Sequence, residues 1–194
     1  MKNLITNKKN ILNIMAIAAL SVFLHSCSDD DDASVDQNID ANEEELITTV
    51  NLEFRNSNGD LSTFSFRDPD GDGGNAPVIQ TIELDKGEEY SVLAKFLDES
   101  DPDDVEDITA EILEEDDEHL ICFEATNVDG LTITRTDTDG EFEVGLESAW
   151  IISDTAVSNS GVVQLVLKHQ PGVKDGSCAP GDTDVEVDFP FQLK

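Results

Sequence analysis

Apolar residues recur at every second position through most of the chain beyond residue 46, and this period carries the first reading of the fold. Val50, Leu52 and Phe54 alternate with Asn51 and Glu53. The turn Ser57-Asn58-Gly59-Asp60 follows, and its Asn-Gly pair is a hairpin signal. Leu61 to Arg67 predicts a second strand with Phe64 and Phe66 on one face, and Val78, Gln80, Ile82 and Leu84 share one face of a third. Lys86-Gly87 turns the chain into Tyr90 to Leu97. Leu131 to Thr134, Phe142 to Leu146, Val162 to Leu167 and Val185 to Phe191 complete the set. An extended segment with this period has one apolar and one polar face, as a half-buried strand requires. Eight short strands between Gly, Asp and Asn turns predict an all-β fold, an immunoglobulin-like β-sandwich in the broad sense. Val105 to Leu120 departs from the period: Ile108, Ile112 and Leu113 stand near helical spacing among many glutamates. The segment reads as one short helix or a charged edge strand, with the helical piece expected around residues 114–120.

The first 27 residues follow a different pattern. Lys2, Lys8 and Lys9 form a positive start, Ile11 to Leu24 is apolar except for Asn13 and Ser21, and His25, Ser26 and Cys27 close the segment. A charged start, an apolar run of about 7–15 residues and a small residue at the cut describe a secretory signal. Leu24-His25-Ser26-Cys27 resembles the lipobox, whose family implies cleavage before Cys27 and acylation of that cysteine. One acyl chain binds a bilayer only marginally, whereas three make a durable anchor, so the lipid bilayer is an expected partner through Cys27. Ser28 directly after the cysteine, followed by Asp29 to Asp32, resembles lipoproteins sent to the outer membrane and displayed at the cell surface. Residues 28–45 hold nine Asp or Glu and only Val35 and Ile39 as large aliphatics, too little apolar surface to offset the cost of ordering. The expected organisation is a signal peptide over 1–26, a lipidated Cys27 with an acidic tether through 45, and a sandwich domain over 46–194.

Charge narrows the partners. The chain carries 44 acidic and 11 basic residues for a net −33, and removal of three lysines with the signal takes it to −36. Such a surface repels phosphate backbones, so nucleic acid is not an expected partner. It favours cations, above all calcium, which takes hard carboxylate oxygens.

The sharpest motif is Asp68-Pro-Asp70-Gly-Asp72-Gly-Gly74-Asn75. Carboxylates at alternate positions with glycine sixth match the first half of a calcium loop, and the carbonyl of Gly74 could add a ligand. Position twelve is Ile79 rather than Glu, so an ion held by Asp68, Asp70, Asp72 and Gly74 needs a ligand from elsewhere. Asp, Gly, Asn and Pro are also what turns use. The weaker echo Asp137-Thr-Asp139-Gly-Glu141 reads as a turn. Cys122 and Cys178 are the only cysteines beyond Cys27, and outside the cytoplasm such a pair is expected to form a disulfide. His119 and His169 each end an apolar run. A bridge between the cysteines would bring them together, and with a carboxylate they could hold zinc or haem iron. A Cys₂His₂ zinc site is the other grouping, disfavoured where thiols oxidise. No nucleophile elbow, zinc-protease helix or phosphate-binding glycine loop stands in the chain, so the expectation is not an enzyme, with a hydrolase built on a carboxylate pair as the third possibility.

Four stretches together carry a family resemblance: Phe66 to Pro77, Glu115 to His119, Leu167 to Pro171 and Thr183 to Val187. They resemble a group of small β-rich surface lipoproteins without an assigned activity, some of which carry the label type 1 periplasmic binding fold superfamily. That labelled fold has two α/β lobes and about twice this length, whereas the strands here alternate without βαβ units. Taken together, the expectation is a surface-displayed lipoprotein acting as a binding or accessory module, calcium-stabilised, with a TonB-dependent receptor as partner by analogy. The alternative is a metal- or haem-capture lipoprotein using His119 and His169.

Overall fold

The computed structural model describes residues 45–71, 73–157 and 160–194. The signal segment, Cys27 and the tether through Glu44 lie outside the described residues, as does Asp72 of the candidate calcium loop. The described strands are β1 (Thr49–Asn56), β2 (Leu61–Arg67), β3 (Val78–Ile79), β4 (Ile82–Leu84), β5 (Glu89–Leu97), β6 (His119–Thr126), β7 (Leu131–Arg135), β8 (Glu147–Ile152), β9 (Ser160–His169) and β10 (Asp182–Leu193), with one helix, α1 (Ile108–Glu114), between β5 and β6.

They form a sandwich of two sheets, in the orders β3-β2-β1-β5-β8-β7 and β4-β10-β9-β6. All neighbours run antiparallel except β4 and β10, which are parallel. The alternation dictates the packing. Val50, Leu52 and Phe54 of β1 and Val92, Ala94 and Phe96 of β5 turn inward, as do Val187, Phe189 and Phe191 of β10. Trp150 of β8 sits wholly buried, with edge-on contacts to Phe54 at 5.1 Å and to Phe123 of the other sheet at 5.6 Å. Its indole N–H donates to Ser148 Oγ at 2.9 Å, so the one polar atom of the largest core side chain is satisfied. Among the described residues no helix is long and apolar enough to cross a membrane.

Three expectations need correction. The helix lies at 108–114, not 114–120. Asp107 caps it through Thr109 N–H, and Ile108 and Ile112, one helical turn apart, are its buried face. Thr109 Oγ1 then both accepts from Phe96 N–H and donates to Phe96 C=O, seating the helix on β5. Residues from His119 onward form strand β6, paired with β9. The third predicted strand is two: β3 pairs with β2 in one sheet and β4 with β10 in the other, so the chain changes layers at Gln80-Thr81. Phe142 to Leu146 is not a strand. Val144 and Leu146 are buried as their alternation implies. However, Val144 C=O accepts from Ile121 of one sheet and Leu146 C=O from Ala94 of the other. Gly145, at φ +94°, supplies the bend that this crossing needs. The strand of that region is β8.

Candidate functional site

At one end of the sandwich, strand register sets two histidines side by side. His119 opens β6 and His169 closes β9, and the two are directly paired. Their rings stack with centroids 4.8 Å apart and planes 6° from parallel. His119 Nδ1 lies 3.0 Å from the carbonyl oxygen of Glu115. A carbonyl only accepts, so Nδ1 carries the proton and Nε2 keeps its lone pair. That Nε2 has no hydrogen-bond partner and points at Asp184, 4.0 Å from its carboxylate, with both side chains wholly buried. Burial chiefly, and the charge of His169, push the His119 pKa down against the pull of the Glu115 carbonyl, which keeps the imidazole neutral. His169 Nε2 lies 3.5 Å from Glu118.

Asp184 reaches the interior because β10 is irregular there. The β10–β9 register shifts between Thr183 and Val185, leaving Asp184 as the extra residue of a bulge, a device that re-aims a side chain. Beyond it, Val185, Val187 and Phe189 resume the inward alternation.

Further acids gather at the same end. Glu45, just before β1, has its pKa pushed up to about 7, first by burial, then by the charge and hydrogen bond of Glu111, then by Asp184 and Glu115. A carboxyl group this close to another acid ionises at a cost, so Glu45 keeps its proton toward neutral pH. Glu45, Thr48, Asp68, Gly71, Asp184 and Glu186 line a cavity of about 500 Å³.

That cavity receives part of the candidate calcium loop. Asp68 N–H donates to Thr48 C=O at 2.7 Å, fixing the loop to the segment ahead of β1. Its carboxylate Oδ1 is buried with no hydrogen-bond partner among the described residues. Asp70 behaves differently: its Oδ2 accepts from Asn75 N–H at 2.9 Å and from Asn75 Nδ2 at 2.7 Å. Those two bonds lead the causes that hold its pKa below the ordinary range. Gly74 makes room for this carboxylate, since a Cβ there would run into it. The loop therefore brings Asp68 to the cavity and spends Asp70 on its own turn.

The echo at 137–141 is occupied by the protein itself. Asp137 accepts from Gly145 N–H at 2.7 Å and Glu147 N–H at 3.0 Å. Asp139 accepts from Glu141 and Phe142 N–H and pairs with Lys174 at 2.7 Å, both side chains nearly inaccessible. Burial alone would raise the Asp139 pKa, but the Lys174 and amide bonds outweigh it and hold it at about 2.

Cys122 of β6 and Cys178, in the loop between β9 and β10, form the expected disulfide, with Cα atoms 6.1 Å apart. Sequence reasoning thus finds Asp68, His119, His169 and the cysteines, but misses Asp184, Glu45 and Glu111. The signal for Asp184 is present: its acid stands where the Val185-Val187-Phe189 alternation breaks off. Comparisons with protein-family models, with curated proteins and with solved structures find no match for this chain.

Proposed function

We propose that this chain is a lipid-anchored, surface-displayed binding or accessory module, calcium-stabilised and not an enzyme, whose ligand-facing feature is the acidic cavity at the open end of the sandwich. The observation that carries the reading is the convergence of Asp68, Asp184, Glu45 and Glu186 on one cavity. Acidic residues gathered around one concavity favour a cation over any anionic ligand. Asp68 brings a buried oxygen without a hydrogen bond, and calcium coordination would satisfy it. The disulfide supports passage through an oxidising compartment, in line with the export signal and the lipobox at Cys27. Outer-membrane display, and a TonB-dependent receptor as partner, follow from the lipoprotein resemblance and belong to the same proposal.

The test separates ion binding from charge screening. Calcium should raise the melting temperature of the full chain more than potassium chloride at equal ionic strength, because a ligand bound only by the folded state stabilises it by mass action. Asp68→Asn should abolish that difference. An equal response to both salts, or an undiminished calcium response in Asp68→Asn, overturns the reading.

A second reading, metal capture by His119 and His169, is favoured by one observation: Glu115, His119 and His169 each offer a ligand atom within 4.8 Å of the others. Parallel stacking works against it. Imidazole lone pairs lie in their ring planes, and planes only 6° apart do not converge on one ion unless a ring turns.

A further inference from the structure

The two sulfurs of the disulfide stand in different surroundings. Cys122, on β6, is only 7% exposed, whereas Cys178 lies in the exposed loop between β9 and β10. We infer that Cys122–Cys178 is a thiol–disulfide exchange site, opened by a partner with two neighbouring thiols that attacks Cys122 while Arg135 takes up the thiolate released at Cys178. Exposed bridges are the ones that exchange, but exposure alone would not make a site. Three further features do.

The first is the guanidinium. Arg135 closes β7 and is held on two sides: Nε donates to Ile121 C=O at 2.6 Å and Nη1 to Glu143 at 3.0 Å. Its Nη2 is thereby set 3.4 Å from Cys178 Sγ. A disulfide sulfur is a weak acceptor, so this contact contributes little to the closed bridge. A thiolate at the same place turns it into a charge-assisted hydrogen bond. The guanidinium therefore favours the open bridge over the closed one. It also favours charge at Cys178 rather than at Cys122, where burial opposes a thiolate.

The second feature is an approach to the other sulfur. Both cysteines line a concavity of about 320 Å³ on the outer face of the smaller sheet, beside Lys168, Glu124 and Glu186. Lys168 Nζ donates to neutral oxygens, Gly181 C=O and Thr183 Oγ1, each at 2.9 Å. Its charge is thus left to attract an attacking thiolate. Glu124 and Glu186 oppose a reductant that carries net negative charge. Two of the chain's eleven basic residues flank this one bridge, against 44 acids elsewhere and around it.

The third is that opening the bridge does not release the loop. Lys174 Nζ still donates to Asp116 C=O at 2.6 Å and to Asp139 at 2.7 Å. The wholly buried Gln170 still donates to the carbonyls of Ser177 and Pro180 at 2.9 and 3.0 Å. Cys178 stays near Cys122, and reoxidation closes the same pair.

The exchange balances in two steps. A thiolate of the partner bonds to Cys122 Sγ, the Cys122–Cys178 bond breaks, and its electron pair leaves with Cys178 as a thiolate. The partner's second thiolate then attacks the partner sulfur bonded to Cys122. That forms the partner's own disulfide and releases Cys122, which takes up a proton. The partner is oxidised by two electrons and the bridge is reduced by two.

The experiment uses the full chain in detergent, with dithiothreitol as the neutral dithiol probe and peptide mapping of Cys122 and Cys178. Reduction should proceed in the folded chain, at a rate that follows dithiothreitol and stays flat in urea below the unfolding transition. A rate that climbs with urea in parallel with unfolding overturns the inference, whatever any variant does. With the single thiol 2-mercaptoethanol and an acid quench, the mixed disulfide should map to Cys122; finding it on Cys178 overturns the assigned direction of attack. In the reduced chain, the pH dependence of Cys178 alkylation should lie below the free-thiol value of about 8.5. Arg135→Gln should move it up by at least about one unit, the smaller end of the effect of an adjoining opposite charge, and should slow reduction. Glu143→Gln removes the acid on the far side of the guanidinium and should move it down. Unchanged titration in Arg135→Gln, or an upward shift in Glu143→Gln, shows a bridge that is structural only.

Discussion

Two buried carboxylates in this molecule have opposite surroundings. Asp139 holds a lysine ammonium at 2.7 Å and two backbone N–H groups. Lys174 in turn donates to the carbonyl of Asp116 at 2.6 Å, tying the 139–142 turn to the loop before β6. Asp184 faces a neutral imidazole at 4.0 Å and other acids. Burying either carboxylate costs desolvation. In the first case the fold supplies the compensating charge, so the carboxylate is structural. In the second, the neighbourhood gathers further acids, Glu45, Glu111 and Glu115, around a neutral imidazole. The lesson is that acidic content alone does not mark a site in a chain with 44 acids; what each buried carboxylate is held against has to be read from the fold.

The comparison breaks most visibly at Lys174. Lys174→Met should cost about 3–5 kcal/mol, because it leaves Asp139 buried without its cation. Urea unfolding of the metal-free chain measures this, and a loss below about 1 kcal/mol would place Asp139 among surface ion pairs instead. Removing the bridge that closes the same region, with Cys122→Ala and Cys178→Ala together, should cost about 2–4 kcal/mol through a looser unfolded state. The check is the same unfolding curve against the oxidised parent. Without it, Asp184 should keep its position, because the bulge belongs to the β9–β10 ladder and not to the bridge.

The smallest effect sharpens the contrast, since the two regions titrate in opposite directions. The Asp139 pKa is lowered to about 2. Its stabilising contribution is therefore present above the unfolded carboxylate value and lost as pH falls through about 2. The Glu45 pKa is raised to about 7. Its contribution is therefore full below the unfolded value near 4.5 and lost as pH rises through about 7. Glu111 and Glu115 face Glu45 from α1 and the residues just after it, and Asp184 faces it from β10. Melting temperature of the chelated protein should fall between pH 5 and pH 8 more in the parent than in Glu45→Gln, and Asp139→Asn should flatten only the acid limb. Parallel pH curves for parent and Glu45→Gln would show that Glu45 is not held against Glu111.

Much of this is legible along the chain. Alternation places β1, β2, β5, β9 and β10, and the Asn-Gly turn joins β1 to β2. Failures cluster where hydrogen bonding contradicts hydrophobicity. Phe142 to Leu146 has the alternation of a strand but gives its carbonyls to two different sheets. Val78 to Leu84 keeps one apolar face while changing layers. Leu120 to Phe123 reads as an apolar run whose partner strand lies more than 40 residues away.

By itself the sequence determined the β class, the charge, the export and lipidation signals as expectations, and the pairing of the only two cysteines beyond Cys27. Those features rest on period, composition and count, which are properties of the chain read in order. The tertiary structure alone decided that Asp184 turns inward and that His119 meets it. A bulge is a mismatch between two strands, and neither strand contains that information separately. Likewise, the bond from His119 Nδ1 to the Glu115 carbonyl depends on where α1 ends against β6. Only that bond leaves Nε2 free of its proton and facing the carboxylate, because an imidazole shows its lone pair wherever its other nitrogen has found an acceptor.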